Sequence, residues 1–318
     1  MWWDFDIIPD ETPISGERVR SPRALIPLLS VCGAAAVVAA AGAGAAIDGL
    51  PGGGPAHADG ARETPAVTIS AMTWNVCGVP RPGCPLGGRP EELTRRITTR
   101  MNATEVGGRT VKTNAVFLQD VCSGQVKTLK RTGRFAKWTW AFAPFAGGPA
   151  CAGGQGRPGV AVGVEAQMGG VRASRLPSPS YAGRSAVCGD VPSWNTRVCG
   201  TQFSTKAEDP DGAWRRKQAH ALVSVAGSGA RVVVGGDLTD GPEDPVLDPL
   251  YRAYAECDQS AAARTGAKTV QDWRGQALRK ADYLFITKDT GTSSSVPDAA
   301  VTSSDHRPLS AVIRFRQP

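Results

Sequence analysis

Short apolar runs rich in β-branched residues recur along this sequence, and each ends or begins beside a polar residue that could carry chemistry. Such runs are typical of buried strands. The polar residues beside them are Asn75, Asp120, Asp237, Asp282 and the pair Asp305-His306. Because a packed sheet delivers the ends of several strands to one rim, we expect these side chains to converge there.

Between these runs, further segments read as strands or helices. Predicted helices cover Pro90–Ala103, Ser123–Arg131, Gly212–Val225 and Asp248–Ala255. Predicted strands cover Ala66–Asn75, Asn114–Leu118, Trp138–Phe145, Gly159–Val164, Gly170–Arg175, Ser185–Cys188, Thr196–Phe203, Arg231–Gly235, Ala281–Thr287, Ala299–Thr302 and Leu309–Phe315. Many strands with few helices predict an α/β (α+β) domain over residues 66–318, with two packed sheets flanked by helices.

Two details of this reading are specific enough to check. Gly159–Val164 is expected to pair with Gly170–Arg175, and Ser185–Cys188 with Thr196–Phe203. The third helix is expected to pack through one face, formed at helical spacing by Trp214, Ala221, Leu222 and Val225.

The first 58 residues differ in composition from the rest. Residues 24–47 carry no charge, three arginines precede them, and Ala56-His57-Ala58 offers a small-x-small cleavage site. This pattern predicts a secretory signal peptide cleaved after Ala58, followed by a linker over residues 59–65. The alternative is an uncleaved membrane anchor, because the apolar stretch is long enough to span a bilayer.

The charge balance favours anionic partners. Residues 1–58 hold 3 of the 36 basic and 6 of the 29 acidic residues, so the remaining chain has 33 basic and 23 acidic residues and a net charge of +10. Nucleic acid is the preferred partner, with phospholipid headgroups next, although such a charge can also serve solubility alone. The protein is expected to be a monomer.

The cysteines support export. Seven of the 8 follow residue 58, and none forms a CxxC pair, which argues against a zinc site. Proximity suggests the disulfides Cys77–Cys84, Cys188–Cys199 and Cys122–Cys151, with Cys257 left over. Disulfides of this kind belong in an oxidising compartment.

A cluster of carboxylates and an amide at one rim would suit a hard divalent cation such as Mg²⁺, with Mn²⁺ or Ca²⁺ as alternatives. Such an ion polarises a phosphoryl oxygen, and a histidine nearby can transfer a proton or contact the phosphate. Each residue alone has a plainer explanation, because an aspartate after a strand is more often a turn or helix cap. The prediction rests on the set and its order.

That ordered set resembles the endonuclease/exonuclease/phosphatase superfamily, which has the deoxyribonuclease-I-like fold and includes nucleases, sphingomyelinases and inositol-polyphosphate phosphatases. The motifs that carry the resemblance span residues 66–316 and are Thr73-Trp74-Asn75-Val76, Leu118-Gln119-Asp120-Val121, Gly236-Asp237-Leu238, Lys280-Ala281-Asp282-Tyr283 and Ser304-Asp305-His306-Arg307-Pro308.

The resemblance implies a four-layer sandwich and metal-dependent phosphoester hydrolysis. It makes Asn75 and Asp120 metal ligands, and it gives Asp237 the role of orienting the attacking water. Asp305 would orient His306 on the scissile phosphate. Asp282 matches the family's acidic residue before the aromatic strand. Arg184 matches a phosphate-binding arginine, unless it is an ordinary surface residue.

Four positions depart from the family pattern. Asp120 replaces a glutamate, Pro158 a tyrosine, Thr239 an asparagine and Gln202 a histidine. Because glutamine cannot exchange a proton near neutral pH, Gln202 could bind a phosphate but could not act as an acid or base. His220, in the third predicted helix, is expected to lie on the surface and not to replace the missing histidine.

Three functions remain open at this level. The preferred one is an exported phosphodiesterase, most simply a nuclease. The substitutions at Gln202 and Thr239 favour a catalytically weakened pseudoenzyme that binds anionic ligands. A sphingomyelinase-like phospholipid hydrolase would need an exposed aromatic hairpin, for which Trp138-Thr139-Trp140 is a candidate, although a core strand is the simpler interpretation.

Overall fold

The computed structural model describes residues 66–179, 183–229, 231–259 and 263–316. The predicted signal peptide and linker lie outside these residues. Within them, no helix is both long enough and apolar enough to cross a membrane.

The described part of the chain forms four α-helices and sixteen strands, besides short 3-10 turns. The helices are α1 Pro90–Asn102, α2 Ser123–Leu129, α3 Ala213–Ala226 and α4 Asp248–Ala253. The strands are β1 Val67–Asn75, β2 Thr104–Val106, β3 Arg109–Val111, β4 Ala115–Cys122, β5 Thr139–Pro144, β6 Pro158–Val164, β7 Gly169–Leu176, β8 Arg184–Val191, β9 Thr196–Gln202, β10 Val232–Asp237, β11 Ala255–Glu256, β12 Val270–Gln271, β13 Ala277–Arg279, β14 Asp282–Ile286, β15 Gly291–Ser295 and β16 Leu309–Phe315.

Two six-stranded sheets form the centre of the fold. The first has the order β15-β16-β1-β4-β6-β5, and the second has the order β11-β14-β10-β9-β8-β7. Each contains one parallel pair, β1 with β4 and β9 with β10, and the other pairs are antiparallel. The predicted mixed α/β class with mostly antiparallel sheets is confirmed.

Alternating side chains along the strands build three apolar layers, because successive residues of a strand point to opposite faces. Residues from both sheets share the middle layer, such as Ile69, Val162 and Val233. The outer layers each join one sheet to its helices, as Leu93 of α1 does for the first sheet and Leu222 of α3 for the second. Helix, sheet, sheet and helix therefore stack as a four-layer sandwich.

The structure corrects two of the strand predictions. β6 and β7 do not pair with each other, because β6 joins the first sheet and β7 joins the second. Residues 299–302 form no strand, and the edge position beside β16 is taken by the polar segment Gly291–Ser295, which lacks the apolar pattern used for prediction. In contrast, β8 pairs with β9 as expected.

The buried face of α3 also differs from the prediction. Its buried residues are Arg215, Gln218, Ala219, Leu222 and Ala226, and the expected Trp214, Ala221 and Val225 are only half-buried. A search for apolar residues overlooks this face because its first member is a charged arginine. His220 lies on the exposed side, as predicted.

All three predicted disulfides are present, namely Cys77–Cys84, Cys122–Cys151 and Cys188–Cys199. Of the cysteines in the described residues, Cys257 is the one left unpaired, and it is buried. Trp138 and Trp140 pack against each other in the outer layer of the first sheet, with exposures of 6% and 7%. They belong to the core and form no exposed aromatic hairpin.

Candidate active site

The ends of β1 and β10 meet at one rim of the sandwich. Asn75 is the last residue of β1 in the first sheet, and Asp237 is the last residue of β10 in the second. Asn75 Nδ2 donates a hydrogen bond to Asp237 Oδ2 at 2.9 Å. This contact joins two residues 162 positions apart and closes the rim between the two sheets.

The turn before β16 brings His306 to the same rim. Trp74 Nε1 donates to the carbonyl oxygen of His306 at 3.0 Å, and the His306 amide donates to Ser304 Oγ at 3.0 Å. Ser304 Oγ in turn donates to the carbonyl oxygen of Asn75 at 2.8 Å. The serine of the Ser-Asp-His motif therefore ties the histidine backbone to the end of β1.

The imidazole of His306 is held by Asp282 and not by Asp305. Its Nδ1 lies 2.7 Å from Asp282 Oδ2, and its Nε2 lies 3.9 Å from Asp237 Oδ2. Asp305, expected to orient the histidine, places Oδ1 3.1 Å from Cys77 Sγ instead. Neighbours in a turn project in different directions, whereas Asp282 at the start of β14 lies beside Asp237 in register.

Carboxylates on two sides determine the protonation of His306. Burial alone lowers its pKa, but the charges of Asp282 and Asp237 and the hydrogen bond to Asp282 outweigh burial and raise the pKa to about 9. At neutral pH the ring is therefore a buried cation, with both nitrogens available as donors.

This shift predicts a pH-dependent stability. The pKa of His306 in the folded state lies above its value of 6.5 in the unfolded state. The charged ring therefore stabilises the folded state fully below about pH 6.5, and this stabilisation is lost as pH rises through about 9. It adds about 3 kcal/mol to the free energy of unfolding. Urea unfolding of metal-free protein between pH 6 and 10 measures it. The difference in free energy of unfolding between wild type and His306→Gln should shrink as pH rises across this range. A constant difference would contradict the raised pKa of His306.

A β-bulge aims Asp120 into the site. The pairing of β4 with β6 shifts register between Gln119 and Val121, and Asp120 adopts a φ of +53°. Its buried carboxylate lies 2.5 Å from the guanidinium of Arg81. Burial raises the pKa of Asp120, while the positive charges of Arg81 and Arg184 oppose this rise.

Sequence analysis overlooked Arg81. It belongs to the loop that the Cys77–Cys84 disulfide closes directly after β1. The signal was available, because a loop closed by a predicted disulfide after the first motif must stay near that end of β1. Its position on Asp120 adds a second arginine to a site where Arg184 was the one expected.

Gln202 and Thr239 also lie at this rim, so they do stand where the family pattern has histidine and asparagine. Gln202 Nε2 lies 3.5 Å from Asp237 Oδ2, and Gln202 Oε1 is buried without a hydrogen-bond partner. The Thr239 amide donates to Asp237 Oδ1 at 3.0 Å. Asp237 thus accepts hydrogen bonds from Asn75, Gln202 and the Thr239 backbone, which fixes the orientation of its carboxylate.

The backbone of Thr239 favours the asparagine found in related motifs. Its φ is +69°, a left-handed conformation that costs a β-branched residue about 1–2 kcal/mol and that asparagine adopts more readily. We expect Thr239→Asn to raise the free energy of unfolding by up to about 1 kcal/mol. Chemical denaturation measures this gain. Thr239→Val keeps the β-branch and should give no gain, so equal stabilisation by both variants would refute the strain argument.

Arg184 is a buried residue of the site and not a surface arginine. It is 8% exposed, forms a salt bridge with Glu208, and lies 5.1 Å from the ring centre of Phe145. These residues line a pocket of about 240 Å³ that also includes Arg81 and Asp120. The pocket therefore combines two arginines with an apolar wall beside the candidate metal ligand.

The residues at the rim fit a divalent cation. Side-chain atoms of Asp237, Asp282 and His306 lie within 4.8 Å of one another, and the two carboxylates can ligate an ion while His306 is protonated. Asp282 Oδ1 is buried without a hydrogen-bond partner. Carboxylate oxygens of this kind are preferred by Mg²⁺ and Ca²⁺.

Cys77, Cys84 and Asp305 also cluster, but the two sulfurs form a disulfide and offer no thiolate. Asn75 Oδ1 already accepts from the Cys77 amide.

The sequence matches the Endonuclease/Exonuclease/phosphatase family over residues 72–306. This match covers most of the chain and contains the motifs that meet at the rim. The chain belongs to the endonuclease/exonuclease/phosphatase family, whose members include nucleases and phosphatases. No curated protein matches the sequence.

Solved structures of this family share the fold. A family protein from Bacteroides thetaiotaomicron is 12% identical, with a TM-score of 0.58 over 80% of this chain and 97% of that one. A family protein from Beutenbergia cavernae is 18% identical, with a TM-score of 0.56 over 78% of this chain and 72% of that one. D. rerio TDP2 complexed with a single-strand DNA product is 13% identical, with a TM-score of 0.55 over 78% of this chain and 99% of that one. At these identities the likeness concerns the fold alone.

Proposed function

We propose that this protein is an exported, divalent-metal-dependent phosphodiesterase, with nucleic acid as its preferred substrate. The observation that carries the proposal is the array of Asp282, His306 and Asp237, joined through Asn75 at a rim where a buried carboxylate oxygen has no hydrogen-bond partner. Disulfides in the domain support export, because they persist in oxidising compartments.

Asp120 and Asn75 are the residues proposed to hold the ion. Asp237 is hydrogen-bonded to Asn75 and clusters with Asp282, so these two carboxylates could contribute further oxygen atoms. A divalent ion bound there would polarise a phosphoryl oxygen. The Asp120 carboxylate would have to leave Arg81, which then becomes available to a substrate phosphate. Arg184 offers a second cation in the same pocket.

The remaining chemistry belongs to the side chains around Asp237. Three donors orient its carboxylate, which supports the proposal that Asp237 accepts a proton from an attacking water. His306 directs Nε2 towards Asp237 and carries a positive charge at neutral pH. It can therefore donate a hydrogen bond to the negative charge that develops on a phosphate. Asp282 keeps the ring charged and oriented.

Charge supports a nucleic-acid substrate. The chain after residue 58 carries a net charge of +10, and two arginines line the pocket at Asp120. A phospholipid hydrolase is less well supported because Trp138 and Trp140, the candidate membrane-binding hairpin, are buried.

An assay of the full-length protein tests the proposal directly. Purified protein is incubated with single-stranded DNA, RNA or sphingomyelin, with Mg²⁺ or with EDTA. Mg²⁺-dependent hydrolysis of nucleic acid, absent in the Asp237→Ala, His306→Ala double variant, is the expected result. Equal turnover by wild type and double variant would refute the catalytic assignment.

A binding protein without turnover is the second candidate, because Gln202 and Thr239 face Asp237 where a histidine and an asparagine are expected. The double variant Gln202→His, Thr239→Asn distinguishes the two. If the protein is a weakened enzyme, this variant gains activity. If the native protein already turns over quickly and the variant gains nothing, the pseudoenzyme interpretation fails.

A further inference from the structure

A short hairpin formed by β12 and β13 stands beside the candidate active site. Its first strand forms an isolated bridge between Val270 and His306, and the Gln271 amide donates to the carbonyl oxygen of Asp305 at 2.9 Å. At its other end, Arg279 donates to the carbonyl oxygen of Thr239. The hairpin therefore contacts both the turn that follows Asp237 and the turn that carries His306.

Buried side chains fix the hairpin to the Ser-Asp-His-Arg-Pro turn. Arg307 Nε donates to Gln271 Oε1 at 3.0 Å, and Arg307 Nη2 donates to the carbonyl oxygen of Gly275 at the tip. Gln271 Nε2 donates to the carbonyl oxygen of Ser304 at 2.9 Å. Arg307 thus holds the base and the tip of the hairpin at once, which explains an arginine that the proposed chemistry does not use.

The tip is a defined turn that presents one aromatic ring. Asp272 Oδ1 accepts from the amides of Arg274 and Gln276 at 2.9 and 2.8 Å, and Gly275 adopts a φ of +81°. Between these residues Trp273 is 85% exposed. The Arg274 guanidinium lies 4.7 Å from its ring centre. An indole this exposed leaves a ring face open to a ligand, and the hydrogen-bonded turn fixes the backbone that carries it.

A groove of about 420 Å³ lies between the hairpin and the disulfide loop. It is lined by Arg81 and Cys84 of the loop, by Gln271 and Trp273 of the hairpin, and by Asp305, the neighbour of His306 in the chain. Arg81 belongs to both this groove and the pocket at Asp120. A chain of phosphates bound at the site can therefore continue past Arg81 towards the indole.

We propose that Trp273 and this groove form a subsite for single-stranded nucleic acid, in which one base next to the scissile phosphodiester stacks on the indole. This inference rests on the proposed phosphodiesterase function and names its substrate class. Base stacking on an exposed aromatic ring contributes about 1–3 kcal/mol and requires a base that is not paired in a duplex. Arg274 provides positive charge for a flanking phosphate, Arg81 adds to it when a bound ion draws Asp120 away, and Arg307 acts as a positioning residue.

The composition of the tip favours a base over a lipid surface. The residues beside Trp273 are Asp272, Arg274, Gly275 and Gln276, so inserting the ring into a bilayer would also carry a carboxylate and a guanidinium towards the hydrocarbon. A base that stacks on the ring leaves these charged groups in water. Leu278 is also exposed, but it lies on β13 and not at the tip.

Equilibrium binding of full-length protein tests the subsite without requiring turnover. A fluorescently labelled oligothymidine is titrated in EDTA, and its anisotropy is measured for wild type, Trp273→Ala and Trp273→Phe. The alanine variant should bind roughly 5- to 150-fold more weakly, and the phenylalanine variant should stay close to wild type. Val171→Ala is the matched control, since Val171 is an exposed apolar residue on β7, outside the groove.

A strand of abasic nucleotides of the same length separates stacking from charge. Trp273→Ala should leave its binding unchanged, whereas Arg274→Ala should weaken both strands. The subsite is overturned if Trp273→Ala binds oligothymidine like wild type, if it weakens both strands equally, or if it reduces only cosedimentation with sphingomyelin vesicles. Weaker oligothymidine binding by Trp273→Ala in a protein without hydrolysis would support the subsite while refuting the proposed activity.

Discussion

Replacing His306 with alanine is expected to lower kcat for phosphodiester hydrolysis by about 10²–10⁴-fold, with a much smaller change in KM. The imidazolium lies between Asp282 and Asp237, with Nδ1 2.7 Å from Asp282 Oδ2 and Nε2 directed towards Asp237. Its charge is useful mainly where the phosphate gains negative charge, so its loss should affect the rate more than binding. Initial rates on a nucleic-acid substrate in Mg²⁺ measure the effect.

His220→Ala is the matched control for this experiment. His220 is the other histidine of the domain and lies on the exposed side of α3. We expect its kcat to stay within about twofold of wild type, as for other exposed residues that make no specific contact. The Asp282→Asn variant should also lose activity, as His306→Ala does, because the substitution removes the charge that holds the imidazole ring. A His306→Ala variant with full activity would exclude this residue from the chemistry.

Replacing Arg215 with methionine is expected to destabilise the domain by about 3–5 kcal/mol. Arg215 is buried on α3, with Nε 2.6 Å from Asp240 Oδ2 and Nη1 3.4 Å from Asp209 Oδ2. Both carboxylates are also buried. Methionine fills much of the same space but removes the buried cation from both carboxylates. Asp240 then keeps the exposed Lys206 at 3.6 Å, and Asp209 keeps backbone amides as donors, so the loss costs more than the ion pairs themselves contribute.

Urea unfolding compares Arg215→Met with Arg216→Met, which changes the same residue type at the next, exposed position of α3. The control should change the free energy of unfolding by no more than about 0.5 kcal/mol. Adding Asp240→Asn to Arg215→Met should recover part of the loss, because it removes one of the stranded charges. Equal stability of Arg215→Met and Arg216→Met would show that the buried cluster contributes nothing.

This cluster also supports the candidate site. Asp240 follows Thr239 in the chain, and its carbonyl oxygen accepts a hydrogen bond from the Tyr283 hydroxyl at 2.7 Å. Arg215 therefore stabilises the segment that begins at Asp237. The hydrophobic pattern of α3 could not reveal this role, since an arginine is normally counted on the solvent side of a helix.

Much of the site could be anticipated from local pattern. A run of apolar residues predicts a buried strand, and polar residues at its ends indicate a rim, so Asn75, Asp237, Asp282 and His306 were expected to meet. Cysteines close in sequence also predicted the disulfides, because a short loop brings its ends together at little entropic cost. These inferences use only neighbours in the sequence or the order of motifs.

The sequence by itself determined the mixed α/β class, the motifs of the family and which strand ends carry polar groups. Only the tertiary structure decided that Asp282 holds His306, that Asp305 turns towards Cys77 and that Arg81 reaches Asp120. These contacts depend on a bulge, on turn directions and on the register between strands distant in the chain. Side-chain direction over such separations is set by packing of the whole domain, and short sequence patterns carry no record of it.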